Sequence, residues 1–251
     1  MEQIIKQVRK KTPLIHHLTN QVVMNFTANG LLAFGAAPIM AKSVEEVRHM
    51  ASISNGVLIN IGTLTPEDLT AMILAGKAAN EKGIPVVLDP VGVAATPFRT
   101  SAVRQILDEV KPTAIKGNAG ELAHLVQIPW ETKGVESVGD GNREEIALKV
   151  AETFDTTAVI TGEIDMICTK KDLLRNRTGH PILTKVTGAG CLLGSILTAC
   201  FTTDDEPQAQ AHAALKFYGL AAEHAANHQD VSGSGTFVPR FIDALSMEFK
   251  L

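Results

Sequence analysis

Residues 56–90 read GVLINIGTLTPEDLTAMILAGKAANEKGIPVVLDP. The first six (56–61, GVLINI) are an apolar run of strand length. Residues 67–82 follow with alanines and leucines at helical spacing. Residues 84–88 (IPVVL) are a second apolar run, which ends at Asp89-Pro90. Neither run alternates apolar with polar residues, so each strand is buried on both faces, and a helix separates the two. This pattern predicts parallel strands in an α/β sheet covered on two sides.

The alternation extends outward. Segments 112–115, 157–160, 164–168 and one near 181–186 read as further strands. Segments 100–109, 120–126, 144–154, 191–203, 208–227 and 239–249 read as helices, and the opening MEQIIKQVRKK as a short amphipathic one. Leu192, Leu193, Ile196, Leu197, Ala199, Cys200 and Phe201 surround their helix, which predicts a central, buried one. The whole predicts a single α/β domain over residues 1–251, with a mostly parallel central sheet and helices on both faces. SGSGT at 232–236 reads as a loop between two helices and a candidate for mobility.

Composition narrows the function classes. A chain of 251 residues, 45% hydrophobic, can bury a sizeable core. Its net charge of -4, with one Trp and one Tyr, argues against a nucleic-acid surface, which uses a basic stripe and stacking rings. No apolar run approaches the roughly 20 residues of a membrane helix. The start lacks the apolar centre of a secretion signal. Cys168, Cys191 and Cys200 form no CxxC pair, so no disulfide framework is expected and a reducing cytoplasm is the expected location. The eight histidines include no HExxH, and no structural zinc site is expected.

In sheets of this kind, ligands bind beyond the carboxyl ends of the strands. Four polar clusters fall there: NIGT at 60–63, DPVG at 89–92, KGNAGE at 116–121 and TGE at 161–163. VTGAGCLLG at 186–194 is a fifth. Its Gly188, Ala189 and Gly190 let backbone N–H groups approach a ligand. The helix that follows adds free N–H groups and a positive dipole end, which together suit a phosphate. The loop matches neither GxxxxGK[ST] nor GxGxxG, and a tight strand-to-helix turn is the plain alternative.

Cys191, at the start of that helix, reads as a nucleophile, a proton acceptor or a small buried residue. A helix N-terminus favours its thiolate, and a nucleophile needs a base such as His16, His17 or His124. Asp89 and Glu121 each follow a strand end, where carboxylates can hold Mg2+ beside polyphosphate. Alternatively, Asp89 caps the Pro90 turn and Glu121 complements a helix dipole. Asn20 either hydrogen-bonds a ligand or caps a helix running from Gln21. Met40 either lines an apolar pocket or belongs to the core.

Taken together, HHLTNQVVMNFTANGLLAFGAAPIMA, NIGTL, AMILAGKAANEKGIPVVLDPVGVAATPFRT, KGNAGEL, KGVES, TGEID and VTGAGCLLGS resemble the hydroxyethylthiazole kinase family of thiamine thiazole salvage, within the ribokinase-like superfamily. The resemblance covers nearly the whole chain. It implies a ribokinase-like fold and Mg2+-dependent transfer of the ATP γ-phosphoryl group to the primary alcohol of 4-methyl-5-(2-hydroxyethyl)thiazole. It also implies a homotrimer with the thiazole near subunit boundaries. By position, it puts Cys191 at the catalytic base and Met40, Gly188, Asn20 and Gly62 at the thiazole. Lys116 and Thr161 fall at ATP, and Asp89 and Glu121 in the acidic magnesium region. Gly188, Ala189, Gly190 and Cys191 become the phosphate loop. Lys116, Ala189 and Gly120 stand where the family often has arginine, threonine and serine. Lysine keeps the charge of arginine but loses its planar two-pronged donor. Three competing readings are a ribokinase-like kinase for a hydroxymethylpyrimidine or a sugar, a cysteine-nucleophile acyl transferase or hydrolase, and a noncatalytic thiazole or nucleotide sensor.

Overall fold

The computed structural model describes residues 1–130 and 140–251. The KGVES stretch lies outside the described residues. Among them, eight strands form one sheet: β1 (Leu14–Leu18), β2 (Ala37–Ile39), β3 (Gly56–Asn60), β4 (Val86–Asp89), β5 (Ala114–Asn118), β6 (Thr157–Thr161), β7 (Asp165–Cys168) and β8 (Leu173–Asn176). Their order is β2-β1-β3-β4-β5-β6-β7-β8. The first six in that order are parallel, and β7 and β8 extend the edge antiparallel.

Helices cover both faces. On one lie α1 (Glu2–Lys11), α2 (Met24–Phe34), α8 (Ala189–Cys200), α9 (Pro207–Ala226) and α10 (Ser234–Leu245). On the other lie α3 (Val47–Ile53), α4 (Pro66–Lys82), α5 (Pro97–Glu109), α6 (Ala119–Leu125) and α7 (Asp140–Phe154). The α4 crossover is locally encoded. Thr65 and Asp68 form a capping box, Pro66 opens the first turn, and Gly83 ends the helix at φ 72°.

Strand side chains alternate between the two layers. Val57 and Ile59 enter the α4 layer and Leu58 the α8 layer. Val86 and Leu88 enter the α4 layer and Val87 the α8 layer. The next residue along each strand, Asn60 and Asp89, therefore faces α8. Ile115 enters the α4 layer, so Lys116 faces α8 as well. Ile15 does the same for His17, two residues on. Parity thus turns four polar side chains toward one helix. In α8 every residue except Gly190 is buried, as its apolar circumference predicts.

Several segments depart from the sequence expectation. Residues 181–186 are not a strand: Pro181–Lys185 is a 3-10 turn, started by Pro181 and by the His180 ring, which accepts the Ile182 N–H at 3.2 Å. The sheet edge is β8 instead, hidden in the charged run KKDLLRN. β1 and β2 were not expected either, because two histidines interrupt one and the other has only three residues. The helix after Asn20 starts at Met24, with Val23 at its N-cap, so Asn20 is not that cap. The last helix starts at Ser234 and contains Pro239, so SGSGT is largely its first turn, closed by Phe237 N–H to Gly233 O at 2.9 Å. Among the described residues, no helix is long and apolar enough to cross a membrane.

Candidate active site

The carboxyl ends of β3, β4 and β5 meet the start of α8. Gly188 is the N-cap of α8, with φ 89°, a left-handed conformation that favours glycine. A Cβ there would stand 2.6 Å from Val23 Cγ1. The Ala189 N–H donates to Val186 O (3.2 Å), and the helix ladder begins with Leu192 N–H to Gly188 O (2.8 Å). Among the described residues, this leaves the N–H groups of Gly188, Gly190 and Cys191 without a protein partner, the last two at the helix start where an anion would sit. The open donors are fewer than the four-residue loop suggests. Below the loop, the Tyr218 hydroxyl donates to Ala189 O at 2.6 Å.

Asn60 belongs to the NIGT cluster but has no role of its own in the sequence reading, yet it is the hub. Its Nδ2 donates to Asp89 Oδ2 (2.9 Å) and Cys191 Sγ (3.2 Å). Its Oδ1 accepts from Asn20 Nδ2 (3.0 Å) and the Gly62 N–H (3.0 Å). Asn20 Nδ2 also donates to Cys191 Sγ (3.5 Å). Gly62 must be bare, because a Cβ there would lie 2.7 Å from Asn20 Nδ2.

Lys116 is buried beneath the glycine loop. Its Nζ donates to Asp89 Oδ2 (2.9 Å) and to Gly190 O (3.0 Å), so it ties the loop to the sheet. Burial pulls the ammonium down, but Asp89, then Cys191 and Glu121, more than offset this and hold Lys116 above its ordinary value. Burial pushes the Asp89 carboxyl up, against the pull of Lys116. Burial and then Asp89 also push the Cys191 thiol up, against Lys116 and the two amides. The resting thiol is therefore neutral, and the thiolate expected from the helix end alone is overturned by burial.

The candidate bases for a nucleophilic cysteine are committed elsewhere. His17 Nε2 lies 3.0 Å from Ser195 Oγ and its Nδ1 2.9 Å from Ile15 O. His16 Nε2 lies 2.6 Å from Ala41 O, and His124 Nε2 lies 3.0 Å from Thr100 Oγ1. Cys168 and Cys200 are buried free thiols, and burial pushes Cys168 up to about 11.

Glu121 forms a capping box with Asn118: its Oε2 accepts the Asn118 N–H (2.8 Å) while Asn118 Oδ1 accepts the Glu121 N–H (2.9 Å). Its Oε1 accepts the Gly92 N–H at 2.8 Å. The Asp89 side chain does not cap the Pro90 turn; there the Asp89 carbonyl accepts the Val91 N–H at 2.9 Å. Asp89 Oδ1 is buried without a hydrogen-bond partner among the described residues. No group of three or more His, Cys, Asp or Glu side chains gathers as a metal site among them. Thr161 ends β6 opposite Asn118, with its Oγ1 donating to Gly117 O at 3.3 Å. Met40 follows β2, half-buried.

This architecture is a ribokinase-like fold. A ribokinase-like superfamily protein of Enterococcus faecalis V583 shares the fold, with TM-score 0.68 at 12% identity over 98% of this chain and 94% of that one. The model of the hydroxyethylthiazole kinase family matches residues 5–249, and the chain belongs to that family. It is 61% identical over 243 residues to hydroxyethylthiazole kinase 1 of Oceanobacillus iheyensis, covering 97% of this chain and 95% of the relative. The solved hydroxyethylthiazole kinase protein of Pyrococcus horikoshii OT3 superposes with TM-score 0.89 at 37% identity, over 97% of this chain and 91% of that one.

Proposed function

We propose that the chain transfers the ATP γ-phosphoryl group to the primary alcohol of 4-methyl-5-(2-hydroxyethyl)thiazole, in thiamine thiazole salvage. We read it as one kinase domain over residues 1–251, acting as a cytoplasmic homotrimer with the thiazole near subunit boundaries. The observation that carries the reading is the convergence on Cys191. The Asn20 and Asn60 amides both donate to its sulfur, and its own N–H is one of the open groups at the start of α8. Family membership supports the choice of alcohol.

Phosphoryl transfer requires an aligned alcohol and neutralised charge on the transferring oxygens. The N–H groups of Gly190 and Cys191 donate to those oxygens. Lys116 adds positive charge from beneath the loop and, with Thr161, serves ATP. Met40, Gly188, Asn20 and Gly62 hold the thiazole. Cys191 takes the alcohol proton. Its thiol is neutral at rest, so the basic form grows with pH, and the Asn20 and Asn60 amides stabilise the thiolate once formed.

The donor set fits magnesium held mainly by phosphate and water. Asp89 has an open buried oxygen for the ion or its water, and Glu121, with both oxygens already accepting an N–H, suits a water-mediated contact. Bound magnesium supplies charge neutralisation on the phosphates. An ATP-coupled assay tests the reading, with hydroxyethylthiazole, a hydroxymethylpyrimidine and sugars, each with and without Mg2+. Phosphorylated thiazole formed only with Mg2+ is the expected result. Activity confined to the other alcohols, or an ATP-independent Cys191 adduct, overturns it.

A further inference from the structure

We infer that Arg99 is a positioning residue for the thiazole side of the site, an inference that rests on the proposed alcohol kinase activity. Arg99 lies in the first turn of α5, behind Pro97, with its own N–H capped by Thr96 Oγ1 at 3.3 Å. Among the described residues, its half-buried guanidinium donates only to main-chain carbonyls. Nη1 reaches Ile61 O (2.8 Å) and Val91 O (2.6 Å), and Nη2 reaches Gly62 O (2.6 Å). Ile61 and Gly62 follow β3, and Val91 follows β4. One side chain therefore fastens two neighbouring strand-end loops to each other.

Both loops carry part of the site. The Gly62 N–H holds Asn60 Oδ1, and its bare Cα sets how closely Asn20 approaches. Asn20 and Asn60 are the two donors to Cys191 Sγ. A shift of Gly62 is thus passed to both amides and on to the sulfur. The second loop leaves β4 at Asp89 and is held residue by residue. Arg99 takes Val91 O, Glu121 takes the Gly92 N–H at 2.8 Å, and the Thr100 hydroxyl takes Val93 O at 2.9 Å. Three carbonyls converging on a partly buried point repel one another and need donors. A planar fork can serve all three, whereas a single ammonium on a flexible stem lacks that geometry.

The test compares Arg99→Lys and Arg99→Ala with the native protein. In Arg99→Lys, kcat/KM for hydroxyethylthiazole falls roughly tenfold or more, while KM for ATP stays within about twofold. Added guanidinium restores part of the Arg99→Ala loss. A second readout does not depend on turnover: iodoacetamide alkylation of each cysteine, followed by peptide mass spectrometry. Both variants are expected to speed alkylation of Cys191 several-fold, with Cys168 and Cys200 unchanged. If the native protein does not phosphorylate the thiazole, the proposed function fails and alkylation alone decides the role of Arg99. Native rates at Cys191 in both variants overturn the inference. So does equal acceleration at all three cysteines, which reports general loosening.

Discussion

Lys116 Nζ stands 2.9 Å from Asp89 Oδ2, with 5% and 1% of the two side chains exposed. A buried pair of this kind adds little net stability, but stranding one partner is costly. Lys116→Met is expected to lose about 3–5 kcal/mol in denaturant unfolding, because Asp89 is left buried without its cation and must either hold an uncompensated charge or take up a proton. Adding Asp89→Asn to that variant should recover much of the loss. Equal losses in the single and double variants would show that the two groups are not coupled.

Cys191→Ala should lower kcat by roughly 100-fold or more, the scale of a lost general base. Thiazole affinity by calorimetry should change little. Unchanged turnover would remove the base role.

Cys191→Asp should retain activity and shift its pH profile. The native thiol sits above its ordinary value, so kcat rises with pH into the alkaline range as thiolate forms. A carboxylate is already ionised there, so the variant's rising limb moves to the acid side. Superimposable profiles would assign the limb to another group.

Gly188→Ala combines φ 89° with a Cβ placed 2.6 Å from Val23 Cγ1. The expected loss is about 1–3 kcal/mol, accompanied by a raised KM for both substrates. Val23→Ala in the same chain should relieve the clash but not the dihedral, giving partial recovery of Tm. A neutral Gly188→Ala would mean that the loop tolerates a side chain.

His17 gives the protein an acid-sensitive stability. Burial holds its imidazole down to about 4 from an unfolded value of 6.5, against the hydrogen bond that its ring donates to the Ile15 carbonyl. Between those values the unfolded chain binds more protons. Stability is therefore complete above 6.5 and drains away as pH falls toward 4, by about 3 kcal/mol. His16, lowered by burial as well, acts in the same direction. Urea midpoints across this range should fall steeply for the native chain and less so for His17→Gln. Parallel slopes would place the acid sensitivity elsewhere.

The sheet is legible where apolar runs are unbroken, as in β3 and β4. β1 is concealed because His16 and His17 interrupt its run. Their partners, Ala41 and Ser195, lie 25 and 178 residues away, and no local pattern encodes them. The glycine loop, Cys191 and Asp89 stand out by residue type. Asn60 does not: its meaning appears only once β4 and α8 lie beside it. Arg99, just before the helix read at 100–109, carries no local signal until its three carbonyls are seen. The thiolate expectation fails for the same reason, since the helix end is a local effect while burial and Asp89 are tertiary ones. The parity of β3 was nonetheless in the sequence. Counting two residues on from Leu58 gives Asn60, and two on from Val87 gives Asp89.

That parity also limits which length changes the chain can accept. Removing one residue between Val86 and Asp89 would turn the Asp89 carboxylate into the apolar α4 layer and leave the Lys116 ammonium facing no anion. Insertions and deletions are therefore tolerable only past the strand ends, where no side chain's facing depends on an even or odd count.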